Sequence, residues 1–393
     1  MSELKFFLEK AKEVQPKVVE WRRHFHENPE PALQEFATAK KVEEILKSFG
    51  IETQMMAGGI AVRGFLQGGK PGKTMALRAD IDALPMVEET QLPFRSRNPG
   101  VFHGCGHDAH TAMLLGAARI LAAMKKELAG NVVFIFQPAE ETGQGAQKMV
   151  AEGVLEKVDA VFGIHVDSSF PSGTLHYKAG PIMAAGDFFD VKISGKGGHG
   201  AMPQAAVDPI AIACQAIAAV QTIVSREADP RESAVVSVCK IQAGGAYNII
   251  PDFATFGGTL RAHRPEIREY LPKRVEEIIS GVAAAMRGRC EFTLHKRFPA
   301  TINDEKMTSF AVEIAQEIMG AEKIFPKAPV MGSEDFSYYL EKAPGTFVFL
   351  GAKNEEKGIV FPGHHPKFDI DEDTLPFGTA LYAAVARQFL SRG

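Results

Sequence analysis

Apolar positions along the chain follow two periods. FATAKKVEEILKSFG, AHTAMLLGAARILAAMKKEL, EKMTSFAVEIAQEIMG and TLPFGTALYAAVARQFL repeat apolar residues at three- and four-residue spacing and predict helices, the first of them stopping at Gly50. Between them, TMALRAD, NVVFIFQ, DAVFGIHV and GTFVFLG are continuous apolar runs, as in central strands covered on both faces. Strands alternating with helices predict an α/β domain with helices on both sides of a sheet.

Near Gly186 the pattern changes. DFFDVKISGKG alternates like a half-exposed strand. DPIAIACQAIAAVQTIVSR follows as a helix with Pro209 in its first turn. Then come the strands SAVVSVCKIQAG and DFATFGGTLRAH, a helix from about Pro265 to Arg287, and the strand CEFTLHKRF. This order predicts a compact two-layer α+β unit. The α/β pattern resumes after Pro299. The expected architecture is an α/β domain over residues 1–185 and 299–393, interrupted by an α+β domain over residues 186–298.

Composition adds limits. The 393 residues suffice for two domains, and 45% hydrophobic with 23% charged residues is ordinary for a soluble globular chain. A net charge of −4 supplies no basic field for nucleic acid or an anionic membrane. The start, MSELKFFLEKAKEVQPKVVEWRRHFHENPE, lacks the apolar core of a secretory leader, and no apolar run is expected to reach the length of a membrane span. The four cysteines, Cys105, Cys214, Cys239 and Cys290, lie far apart and are expected as free thiols of a cytoplasmic protein, with Cys214 and Cys239 in the core.

Metal-capable side chains follow the predicted strands. TMALRAD leads into Asp80 and Asp82, NVVFIFQ into Glu140 and Glu141, and DAVFGI into His165. Ligands gather at the carboxyl ends of strands in α/β sheets, so a metal site is a physical expectation. The densest segment is HGCGHDAH, residues 103–110. Its glycines let the backbone bend, and the thiol of Cys105 beside the imidazole of His107 suits zinc, and also manganese, cobalt or nickel. Read alone, a surface loop with chance histidines explains the segment equally well.

Adjacent side chains of an extended segment point in opposite directions. One of Glu140 and Glu141 is therefore expected to hold metal while the other faces the water that the metal polarises. A solvated loop is the plain alternative. GHHPKFDIDE adds His364 and His365 in a loop set by Pro366. GGKPGKT, residues 68–74, nearly matches a phosphate-binding loop, but a strand follows it, and it reads as a hairpin turn. SGKGGHGAMP presents His199 on a flexible Gly-rich loop.

Taken in order, RADIDALP, HGCGHDAH, QPAEE, GIHV, GGHGAMP, YNIIP, TLR, GSEDFSYY and HHPKFD resemble the aminoacylase and carboxypeptidase-G family of metallopeptidases. The match is to its N-acyl-amino-acid amidohydrolase branch, which includes hippurate and auxin-conjugate hydrolases, and it spans nearly the whole chain. It implies a mixed-sheet di-metal peptidase domain with an inserted lid or dimerisation domain. It implies that Cys105, His107, Glu141, His165 and His364 bind one or two divalent ions: Mn²⁺, Zn²⁺, Co²⁺ or Ni²⁺. His364 is taken over His365 because the family places its ligand two residues before the proline. Glu140 would be the general base. His199 would reach the substrate, often across a dimer interface, and help stabilise the oxyanion. Asn248 and Arg261 would hold the substrate carboxylate. Asp80 stands where related peptidases often carry a metal-binding His, so Asp80 and Asp82 take supporting roles. The implied reaction is hydrolysis of N-acyl-L-amino acids to a carboxylic acid and a free amino acid, by a homodimer or larger homo-oligomer. Action on a dipeptide or on N-acetyl-diaminopimelate is the alternative within the family.

Overall fold

The computed structural model describes residues 3–392. The chain forms two compact units. The first runs to Gly180 and resumes over Ile302–Ala328 and from Asp335 onward; the second comprises Pro181–Thr301 and Pro329–Glu334.

The first unit is built on an eight-stranded mixed sheet. Its order is Glu52–Met56, Ala61–Gln67, Ala129–Gln137, Lys70–Asp80, Ala160–Pro171, Gly345–Lys353, Leu175–Tyr177 and Ile324–Pro326. The four strands from Ala129–Gln137 to Gly345–Lys353 run parallel. They are the continuous apolar runs of the sequence, and both their faces are buried. Met75, Leu77, Ala79, Val132, Phe134 and Phe136 join one large core with Trp21, Leu114, Leu115, Ala315, Tyr382 and Val385 from the helices on that side. On the other face Arg78 and Asp80 are equally buried, and so is Tyr339, whose hydroxyl reaches Met149 Sδ at 3.7 Å. Arg78 and Asp80 thus lie towards the carboxyl end of their strand, on the face opposite that core.

The second unit is a four-stranded antiparallel sheet ordered Ala234–Ala243, Phe253–Ala262, Ala185–Ser194, Arg289–Phe298. The helices Pro209–Thr222 and Pro265–Ala285 pack on one face through Ile212, Ala216, Val220, Leu271, Val275 and Ile279. Asp208 caps the first of these, accepting from Ile210 N at 2.8 Å, while Pro209 occupies a position that needs no amide hydrogen.

Four expectations are corrected. Cys214 and Cys239 are exposed, although all four thiols are free. Cys214 lies on the outer side of its helix, away from Ile212 and Ala216, and Cys239 sits at a register shift between Val238 and Lys240. GGKPGKT is not a hairpin turn: the strands on its two sides are not neighbours, because Ala129–Gln137 lies between them. Gly68 N instead donates to Gly130 O at 3.0 Å, and Gly69 N to Lys125 O at 2.8 Å. Finally, Pro209–Glu227 is long and apolar enough, by length and composition, to cross a membrane. Its glutamines hide the run in the sequence, and its inner face, Ile212, Ala216, Val220 and Ile223, packs in the core of the second unit.

Candidate metal centre

The carboxyl ends of the parallel strands rest on a buried polar frame centred on Arg78. Its Nε donates to Gln137 Oε1 at 2.8 Å, Nη1 to Asp80 Oδ2 at 2.7 Å and Nη2 to Asp335 Oδ1 at 2.9 Å. A guanidinium that is 1% exposed is tolerated only with such compensation. Asp80 Oδ1 meets His110 Nδ1 at 2.5 Å, so both oxygens of Asp80 are committed. Val166 N donates to His110 Nε2 at 2.8 Å, which places the His110 proton on Nδ1, towards Asp80. Burial, above all, holds the His110 imidazole down at about 4 against the pull of Asp80.

Above this frame the helix His107–Ala123 begins at Gly106, whose φ of +86° lies in the left-handed region. A side chain there would also collide with Val166. The bend lets Cys105 and His107 face one cluster. Cys105 Sγ lies 3.5 Å from His165 Nε2. His107 Nδ1 meets the Asp82 carbonyl at 2.9 Å and its carboxylate at 3.2 Å, two acceptors that keep the proton on Nδ1 and turn Nε2 into the cluster. His364, with φ +64°, is held by its N–H to Gly104 O at 2.8 Å and sets Nε2 3.4 Å from Glu141 Oε1. His365 turns elsewhere: it stacks on Phe361 and accepts from Lys367 N at 3.0 Å.

Cys105, His107 and His165 each offer a donor atom within 4.8 Å of the others, as do Cys105, Glu141 and His364, and His107, Glu140 and Glu141. His107 Nε2 and Glu141 Oε1 are buried, 4.0 Å apart, and neither has a hydrogen-bond partner. An unsatisfied buried polar atom costs roughly 1–3 kcal/mol, and a cation satisfies both at once. The electrostatics agree. Burial opposes charge on His107, yet Asp80 and Cys105 hold it well above the ordinary imidazole range. His364 is raised to about 10 by the Cys105 thiol and the Glu141 carboxylate beside it. Burial and Glu141 push the Cys105 thiol up, but His165 and His107 bring it to about 7. The cluster thus attracts positive charge, and thiolate, imidazole and carboxylate donors fit Zn²⁺, Mn²⁺, Co²⁺ or Ni²⁺.

One local expectation fails. Glu140 and Glu141 are not on an extended segment. They lie in a turn closed by Gly143 N to Glu140 O at 2.8 Å, after Ala139 at φ +51°. The turn brings both carboxylates to the same side, beside His107, instead of opposing them.

In the second unit, His199 and Asn248 come together. His199 pairs with Ile249 in a two-stranded ladder, and Gly200 N donates to Asn248 O at 2.8 Å. His199 is exposed, with Nδ1 accepting from Ala201 N at 3.1 Å. Arg261 is half-buried; it donates to Ser333 Oγ and lies 5.8 Å over the Phe188 ring.

Several supporting residues escaped sequence reasoning. Arg22, from the helix Glu3–Glu27, donates to Asp108 Oδ2 at 2.9 Å, Asp369 Oδ1 at 2.8 Å and Glu372 Oε1 at 3.2 Å. It ties the residue after His107 to the segment that follows His364. His26 adds a 2.8 Å contact to the same Asp108 oxygen. Only Asp108 and His110 carried a signal, as members of HGCGHDAH.

Comparison with known proteins shows the family of the chain. The model of peptidase family M20/M25/M40 matches residues 76–388. The chain is similar to IAA-amino acid hydrolase ILR1-like 4 of Arabidopsis thaliana, at 43% identity over 94% of this chain and 84% of that protein. It is similar to an N-acetylcysteine deacetylase of Bacillus subtilis, at 40% identity over 94% of this chain and 96% of that one. Among solved structures, a dinuclear metal-binding M20 peptidase from Bacillus subtilis superposes with a TM-score of 0.85 at 37% identity, covering 97% of this chain and 99% of the other.

Proposed function

Since the chain belongs to peptidase family M20/M25/M40 and is a metal-dependent amidohydrolase, we propose that it hydrolyses N-acyl-L-amino acids to a carboxylic acid and a free amino acid. One observation carries the reading: Glu140 and Glu141 converge with His107 on a single donor cluster. Such a pair divides the work. Glu141, with its unbonded Oε1, serves as ligand, and Glu140, 7% exposed, serves as base. The relatives' names, an IAA-amino acid hydrolase and an N-acetylcysteine deacetylase, support an N-acylated amino acid as substrate.

One or two divalent ions held by Cys105, His107, Glu141, His165 and His364 would supply a Lewis acid and bring the pKa of water towards neutral. Glu140 accepts the proton of the attacking water and delivers it to the leaving amine nitrogen. Arg261 takes the substrate carboxylate, which a guanidinium meets with two parallel bonds, and Asn248 assists. His199 donates to the oxygen that becomes negative. These last three roles rest on the resemblance and on residue chemistry. A cytoplasmic homodimer completes the proposal; the strand Ala234–Ala243 at the sheet edge offers a surface for pairing.

The test is Glu140→Gln with a panel of acetyl, benzoyl and indole-acetyl amino acids. The variant should keep its metal and lose nearly all turnover, and wild-type turnover would remove Glu140 from its role. Preferential cleavage of dipeptides over the panel would move the substrate class. Chelation should abolish activity, and added Mn²⁺, Co²⁺ or Zn²⁺ should restore it.

A further inference from the structure

The turn that carries Glu140 is held on both sides by buried carboxyl groups. Ala139 N–H donates to Glu35 Oε1 at 2.8 Å, and Glu141 N–H donates to Asp82 Oδ2 at 3.1 Å. Glu140 is the single residue between these two anchors. Ala139 sits at φ +51°, a left-handed conformation that is unfavourable for alanine, so the turn needs an external hold.

Asp82 also serves His107, and the Glu35 carboxyl takes further backbone contacts only from its own residue and from Leu33. Glu35 precedes the helix Phe36–Ser48 and is 0% exposed, and its second oxygen, Oε2, is buried without a hydrogen-bond partner. Two residues before it, Leu33 takes φ +67°, a second left-handed position in a non-glycine residue. A carboxyl group placed in the interior at the cost of local strain, with one oxygen on the peptide before Glu140, is poorly explained as packing. Burial, reinforced by Asp82, raises the Glu35 carboxyl to about 8. A neutral acid keeps the acceptor oxygen that the Ala139 amide needs without adding charge beside the donor cluster.

We propose that Glu35 is a positioning residue for the hydrolytic base: it fixes the Ala139 peptide so that Glu140 faces the cluster of donor atoms. Glu35 bonds the Ala139 amide and none of the proposed ligand side chains, and it acts through the turn that carries Glu140. A base displaced by about 1 Å loses on the order of 100-fold in rate while substrate binding is untouched.

The proposal rests on Glu140 being the base, and the experiment separates the two. Glu35→Ala and Glu35→Gln are compared in the metal-loaded full chain, with kcat, KM, bound-metal stoichiometry and Tm measured for each. Glu35→Ala should lower kcat by about 10- to 100-fold with KM and metal content unchanged. Glu35→Gln, which keeps an uncharged acceptor oxygen, should restore kcat to within about threefold of wild type, the behaviour expected of a neutral acid's isostere. Adding Glu140→Gln to Glu35→Ala should cost no more than Glu140→Gln alone, because the two act as a unit. Wild-type kcat in Glu35→Ala, beside an inactive Glu140→Gln, would overturn the positioning role and leave the base standing. An active Glu140→Gln would remove the base itself. A Glu35→Gln variant that folds, binds metal and still lacks turnover would also overturn the proposal, since a structural defect would then be the cause.

Discussion

His107 directs Nδ1 at Asp82, 2.9 Å from its carbonyl and 3.2 Å from its carboxylate, and this pairing leaves the opposite nitrogen to face the donor cluster. Removing the carboxylate in Asp82→Ala frees the ring to turn and weakens its basicity. Metal affinity should fall about 10- to 100-fold, read by competition with a chelator of known affinity. Unchanged affinity would show that the carbonyl alone orients the ring.

Arg22 should be worth more to stability than its place on the first helix implies. It and Asp108 are each 1% exposed, and the arginine is shared with Asp369 and Glu372. Arg22→Gln leaves the Asp108 charge buried without its cationic partner. The expected loss is about 3–5 kcal/mol in denaturant-induced unfolding at fixed metal concentration. A loss under about 1 kcal/mol would mean that His26 alone suffices for Asp108.

The Glu35 carboxyl gives stability a pH dependence of definite sign. Its folded value is raised by burial to about 8 from an ordinary 4.5. Between those values the folded state holds a proton that the unfolded state releases, so stability falls as pH rises through the window and levels off above it. Wild type should therefore lose stability relative to Glu35→Gln between pH 5 and pH 8. A constant offset between the two across that range would contradict it.

Cys105 should decide metal preference more than metal capacity. Its thiol is held near 7 by His165 and His107 against burial and Glu141. Cys105→Ser replaces a soft donor with a weak hard one. Zn²⁺ affinity should drop by about 10-fold or more, and Mn²⁺ affinity much less, in parallel metal titrations. Equal losses for the two ions would exclude a direct thiolate contact.

The strand ends were readable because a continuous apolar run followed by a charged residue leaves few alternatives: Leu77 to Asp80 and Phe136 to Glu140 announce where a buried strand meets a polar mouth. The turn at Glu140 was misread because the strained φ of Ala139 is set by contacts from elsewhere in the chain, not by alanine's own preference. Cys214 and Cys239 were misplaced because an apolar neighbourhood in sequence does not say which face of a helix or edge strand turns outward. The Arg22 network was invisible for a different reason. Its partners lie 86 and 347 residues away, and no local pattern distinguishes that arginine from its exposed neighbour Arg23.

The donors are collected from Cys105 to His364, and the whole second unit is threaded between them. During synthesis His364 can therefore join Cys105 only after the second unit has been made. Until then the Cys105 thiol lacks the His364 neighbour that it has in the folded chain. The donor cluster can therefore close only after the intervening unit has been made, which ties its assembly to a late stage of synthesis.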